Sequence, residues 1–141
     1  MMPRMLSFLG VLAGSLYALF FLGGFVLRDR IIFHPPLSSY SEGAYVRFLT
    51  ARDGTRLACY VLPPKNSETP WVLYFHGNAE DTGHLGFLFE NIAARGYGIC
   101  ALDYRGYGLS GGRPSTENIC EDADTAWRYL VEGEGVSPSR I

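Results

Sequence analysis

The residues best able to do chemistry gather in two short loops. His76-Gly77-Asn78-Ala79 follows the apolar run Trp71–Phe75, and Asp103-Tyr104-Arg105-Gly106-Tyr107-Gly108 follows the apolar run Tyr97–Leu102. Loops at the carboxyl ends of parallel strands are where open α/β sheets bind ligands. Acyl transfer needs fixed N–H donors for the developing oxyanion, and a glycine such as Gly77 lets the backbone turn so that amides point into a site. The same four residues also suit a plain strand-to-helix turn in which His76 hydrogen-bonds neighbouring backbone. Both readings stand on the residues alone.

Two pattern matches in the second loop fail on context. Gly106-Tyr107-Gly108-Leu109-Ser110-Gly111 fits the dinucleotide fingerprint G-x-G-x-x-G. That motif requires the helix to begin within the glycines, so that its N-terminus meets the pyrophosphate. Gly112-Arg113-Pro114 intervene here, other strands come first, and no nucleotide or other cofactor is expected. Gly108-Leu109-Ser110-Gly111-Gly112 fits G-x-S-x-G, but a nucleophile elbow sits directly between strand and helix. Ser110 lies well past the strand and short of the helix, which makes it a loop residue.

The remaining candidates read as structural. His34 and His84 have no acid at recognisable spacing, and three scattered histidines make no metal site. Cys59, Cys100 and Cys120 lack an even count and metal-ligand spacing, so buried free thiols are expected. Asp122 and Asp124 read as the solvated face of a helix, and Asp103 and Arg105 as a pair holding their loop. With 12 basic against 14 acidic residues, a net charge of −2 and no basic tract, nucleic acid is not an expected partner.

The elements that must position the loops are legible. Ala44–Thr50 and Arg56–Leu62 alternate in polarity about the turn sequence Arg52-Asp53-Gly54-Thr55, which is a β-hairpin. Trp71–Phe75 and Tyr97–Leu102 are short, almost continuous apolar runs, as strands buried on both faces read. Between them Leu85, Leu88, Phe89, Ile92 and Ala93 recur at helical spacing, with Gly96 as the C-terminal stop. Pro114-Ser115 opens a second helix with Glu117 in its first turn and Ile119, Ala123, Ala126, Trp127 and Leu130 as its apolar stripe. Hairpin, strand, helix, strand, helix predicts a doubly wound α/β sheet.

Leu6–Leu27 carries no charge. As a helix it would be about 33 Å long, enough for a hydrocarbon core of about 30 Å. Val26-Leu27-Arg28-Asp29 offers no small-x-small cleavage site, so an uncleaved, single-pass anchor in a lipid bilayer is expected. Arg4 at one end against Arg28 and Arg30 at the other leaves the orientation open.

Together, Tyr74-Phe75-His76-Gly77-Asn78-Ala79, Ala101-Leu102-Asp103-Tyr104-Arg105-Gly106-Tyr107-Gly108-Leu109-Ser110 and the helix opened by Pro114-Ser115 resemble the α/β-hydrolase superfamily. The closest likeness is to its membrane-anchored, serine aminopeptidase-like branch of abhydrolase-domain proteins, whose junction is similar to Ile32-Phe33-His34-Pro35-Pro36. The resemblance implies that the Asn78 amide donates to the oxyanion, with Gly77 permitting the turn and His76, Asp103, Arg105 and Gly106 beside the site. It also implies a serine hydrolase of esters, thioesters or amides, with a small acyl, lipid or peptide substrate. In that fold the base follows the nucleophile along the chain, whereas His84 precedes Ser110.

Nucleophile, acid and base match nothing in these residues. Such a hydrolase usually needs about 200 residues or more, so 141 are expected to hold an anchor (1–30) and an incomplete hydrolase domain (31–141) ending before the nucleophile strand. By itself that chain should be inactive. The alternative expectation is a non-catalytic hydrolase-like binding or scaffold protein, or an inactive fragment.

Overall fold

In the computed structural model, residues 2–141 are described, with side chains from residue 9 onward, so Arg4 and residues 6–8 of the expected anchor lie outside the described side chains. The chain divides into two units, one ending at Ile32 and one spanning Phe33–Ile141. The first is a single helix, α1 (Met2–Ile32). Within it Leu9–Ile32 has a mean hydropathy of 2.0 and is long and apolar enough to cross a membrane.

The second unit is a four-stranded mixed sheet with a helix on each face. Its strands are β1 (Val46–Thr50), β2 (Arg56–Leu62), β3 (Trp71–Phe75) and β4 (Gly98–Leu102), in the spatial order β1-β2-β4-β3. β1 and β2 form the expected hairpin, β2 runs antiparallel to β4, and β3 lies parallel to β4 at the edge. Every residue of β4 is buried, which explains its unbroken apolar sequence: a strand with protein on both faces has no position to give to water.

Alternation along β4 assigns its side chains to two cores. Cys100 and Leu102 join Leu57, Cys59, Val61, Ala126 and Leu130 on one face. Ile99 and Ala101 join Phe89 on the other, with Tyr60, Tyr74, Leu85 and Ile92 around them. Helix α2 (Gly86–Ala94) supplies Phe89 to the second core, and α3 (Asn118–Arg128) supplies Ala126 to the first. Gly96 ends the α2 segment at φ +92°, a left-handed conformation that side chains resist, so glycine suits the stop.

The buried face of α3 differs from the expected stripe. Asp122, Thr125 and Ala126 are its buried residues, while Trp127 is 37% exposed and Ile119 half-buried. Asp122 therefore does not belong to a solvated face. It faces inward, where it meets the Arg105 guanidinium. The thiols also divide: Cys59 and Cys100 are buried with their sulfurs 3.2 Å apart, whereas Cys120 is exposed.

Candidate active-site loops

Both loops singled out in the sequence emerge from the carboxyl ends of β3 and β4, which are parallel neighbours in register from Trp71↔Gly98 to Phe75↔Leu102. His76 and Asp103 are each the first residue beyond their strand, and the shared register sets them side by side. His76 Nε2 lies 3.4 Å from Asp103 Oδ1, both side chains being shut off from solvent. The His76 ring packs at 5.1 Å from the Tyr104 ring and 5.0 Å from that of Tyr107.

Asp103 is the hub of the site. Its Oδ1 accepts the Thr82 N–H at 2.8 Å, and its Oδ2 accepts the Thr82 hydroxyl at 3.0 Å and the Tyr40 hydroxyl. Burial pushes the Asp103 carboxyl above its usual range, against the lowering effect of hydrogen bonds from Tyr40 and Thr82 and of the imidazole. The same buried position and the adjacent carboxylate drive the Tyr40 phenol well up. The expected pairing of Asp103 with Arg105 is not what forms. The chain leaves β4 after Leu102, so strand alternation no longer sets these side chains: Asp103 accepts from Thr82 and Tyr40, whereas Arg105 turns to Asp122 on α3.

Two guanidinium donors of Arg105 converge on one oxygen of Asp122, Nε to Oδ1 at 2.9 Å and Nη2 to Oδ1 at 2.7 Å, while the Arg105 backbone N–H donates to Asp122 Oδ2 at 2.9 Å. Its Nη1 donates to Asp53 Oδ2 at 2.8 Å, tying the hairpin turn to the loop. The guanidinium is raised above its ordinary value, chiefly by the hydrogen bonds it donates to Asp122. Hydrogen bonds from Thr55 and Arg105 hold Asp53 below the usual carboxylate range. Arg105 and Asp122 thus brace the β4 loop from below, away from His76.

The remaining residues of the second loop are structural. Gly106 donates its N–H to Gly111 O at 2.9 Å, and Gly108 sits at φ +49° against Asp103 and Tyr40, where a Cβ would collide. Ser110 donates to Asp103 O at 2.6 Å and accepts the Ala58 N–H at 2.8 Å. Both hydroxyl functions are engaged in joining the loop to β2, consistent with a loop serine.

In the first loop, Gly77 donates its N–H to Glu80 Oε1 at 2.8 Å, and Tyr107 Oη lies 2.6 Å from Asn78 Oδ1 and 3.0 Å from Asn78 O. The His34 N–H reaches Asn78 Oδ1 at 3.2 Å. Ser39 donates through N–H to Asp81 Oδ2 at 2.7 Å and through its hydroxyl to Asp81 Oδ1. Segment 34–40 therefore straps across both loops. Asp81 is also the N-cap of the 3-10 turn Thr82–Leu85 and meets His84 Nδ1 at 2.8 Å, so His84 does have an acid partner, three residues away.

Sequence reasoning missed Tyr40, Asp81, Thr82, Tyr107 and Asp122. Only Asp81 carried a local signal, an N-cap acid three residues before His84. The others act across 17 to 63 residues of chain, a distance at which no spacing rule operates.

Residues 67–140 match the family model described as serine aminopeptidase, S33. Among curated relatives, human alpha/beta hydrolase domain-containing protein 17C is 40% identical over 93 residues, covering 65% of this chain and 28% of the relative. Alpha/beta hydrolase domain-containing protein 17B of Xenopus laevis is 34% identical over 106 residues, covering 74% of this chain and 37% of that protein. Among solved structures, an esterase of Pyrococcus furiosus superposes with a TM-score of 0.56 at 18% identity, over 72% of this chain and 42% of its own. The chain spans roughly a third of the length of these curated relatives. From the two strand-end loops, the sheet order and the matched residues together, the chain belongs to the serine aminopeptidase S33 family and carries the amino-terminal part of the α/β-hydrolase fold.

Proposed function

We propose that the complete protein is a membrane-anchored serine hydrolase acting on an ester, thioester or amide, with Asn78 N–H as one oxyanion donor. The observation that carries this reading is the His-Gly-Asn turn seated at the carboxyl end of β3 and backed by a buried His76–Asp103 pair. Membership of a family described as serine aminopeptidase supports it. A serine, an acid and a base from outside these residues would then run the usual cycle. The serine attacks the carbonyl with the base taking its proton, the oxyanion is held by amides including that of Asn78, the alcohol, thiol or amine leaves with that proton, and water then hydrolyses the acyl-enzyme to free acid and serine. The apolar helix Leu9–Ile32 supports a bilayer as partner and favours lipid or acylated substrates.

The test is fluorophosphonate labelling of membranes expressing the complete protein. A labelled band that heat denaturation before labelling prevents, and that stays with the membranes on alkaline carbonate extraction, is expected. A folded protein that takes no label would favour the non-catalytic scaffold instead.

A further inference from the structure

His76 Nδ1 lies 2.7 Å from the carbonyl oxygen of Gly77. A carbonyl only accepts, so this nitrogen carries the proton. The Gly77 carbonyl and the Asn78 N–H belong to the same peptide group. That group is planar and trans, so its C=O and N–H point in opposite directions. Fixing the carbonyl on the His76 ring therefore fixes the direction of the Asn78 N–H, and pulling electron density toward the oxygen strengthens the N–H as a donor.

The ring is itself held. Its side chain is 1% exposed and wedged between the Tyr104 and Tyr107 rings, and Nε2 has no hydrogen-bond partner among the described residues. The group that Nε2 faces is Asp103 Oδ1 at 3.4 Å. With Nδ1 committed to Gly77, Nε2 and a bare carboxylate would be two acceptors facing each other in a dry interior. One further proton shared between Nε2 and the facing carboxylate oxygen removes that conflict.

We infer that His76 is the positioning residue of the oxyanion donor, aiming and polarising the Gly77–Asn78 peptide through the Gly77 carbonyl, with Asp103 locking the ring. The inference rests on the reading of Asn78 proposed above. His76 touches no substrate; it acts one peptide group away.

The experiment uses the complete protein, its kinetics against a p-nitrophenyl ester, and histidine-selective 15N labelling. Asn carries its amide nitrogen the same number of bonds from Cα as His carries Nδ1, so His76→Asn retains the donor, whereas His76→Phe retains only the ring. Loss of an oxyanion donor costs about 10²–10³ in kcat. His76→Phe is expected to lower kcat by about tenfold or more with KM nearly unchanged, and His76→Asn to recover most of it. Equal losses in the two variants, or no loss in His76→Phe, would overturn the inference. So would a 15N spectrum placing the His76 proton on Nε2 with Nδ1 bare. Asn78→Pro, which deletes the N–H, separates the two ideas. If Asn78→Pro folds and falls about 10²-fold in kcat with KM nearly unchanged, the oxyanion reading stands, and His76 is judged by its own variants. If Asn78→Pro folds and retains kcat, the oxyanion reading fails, and the positioning role with it.

Discussion

At the scale of single residues, charge buried without a partner decides most outcomes. Arg105 is 4% exposed and Asp122 fully buried, and the Arg105 guanidinium is the cation that the buried Asp122 carboxylate meets. Arg105→Ala would strand Asp122 and is expected to cost about 3–5 kcal/mol in urea denaturation of the complete protein. The double variant Arg105→Met with Asp122→Leu is expected to regain much of that loss, since apolar packing substitutes well for a buried ion pair. Ser110 offers a contrasting case, because a serine inside G-x-S-x-G invites a catalytic reading that its hydrogen bonds oppose. Ser110→Ala leaves the Ala58 N–H without its acceptor and is expected to cost about 1–3 kcal/mol. Fluorophosphonate labelling of the folded variant should persist. Its loss would return Ser110 to candidacy as the nucleophile.

At the scale of elements, the site depends on caps and straps more than on strands. Asp81 caps the 3-10 turn before α2 and receives Ser39, so one carboxylate joins segment 34–40 to the first loop. Burial tends to raise its pKa, but hydrogen bonds from Ser39 and His84 outweigh this and hold the carboxyl below its ordinary value. A depressed carboxylate contributes stability that is complete above the unfolded value of about 4 and is lost as pH falls through the lower folded value. Asp81→Asn is therefore expected to flatten the acid limb of a plot of melting temperature against pH between about 5 and 2. A limb unchanged in the variant would show that other carboxylates carry it. Asp103 has the opposite sign. Its raised pKa favours the fold at low pH, an advantage that fades as pH rises through the folded value.

At the scale of the molecule, the sheet's order leaves β3 paired on one side only. Trp71-Val72-Leu73-Tyr74-Phe75 carries no charge and no proline, the composition of an edge that recruits further strands. Residues 31–141 expressed alone are therefore expected to be insoluble or molten, with dye binding and a broad thermal transition. A sharp, cooperative transition in calorimetry would sink this expectation. A protein in which another strand covers β3 should lose the behaviour, and for that reason the stability measurements above use the complete protein.

The sequence by itself determined which segments become strands and helices, because each rests on a local rule. Continuous apolarity marked β3 and β4, alternation about Asp53-Gly54 marked the hairpin, and helical spacing closed by Gly96 marked α2. Local order also placed His76, Gly77 and Asn78 at a strand end. What only the tertiary structure decided is which of these groups meet. The same acidic residue type becomes a solvated charge at Asp124, 42% exposed, and the buried partner of Arg105 at Asp122, two positions earlier. Asp103 reaches back to Tyr40 and Thr82 and sideways to His76, passing over Arg105 two residues on. Pairings of this kind are set by strand register and by the cost of burying a charge alone, and both exist only once the sheet has formed.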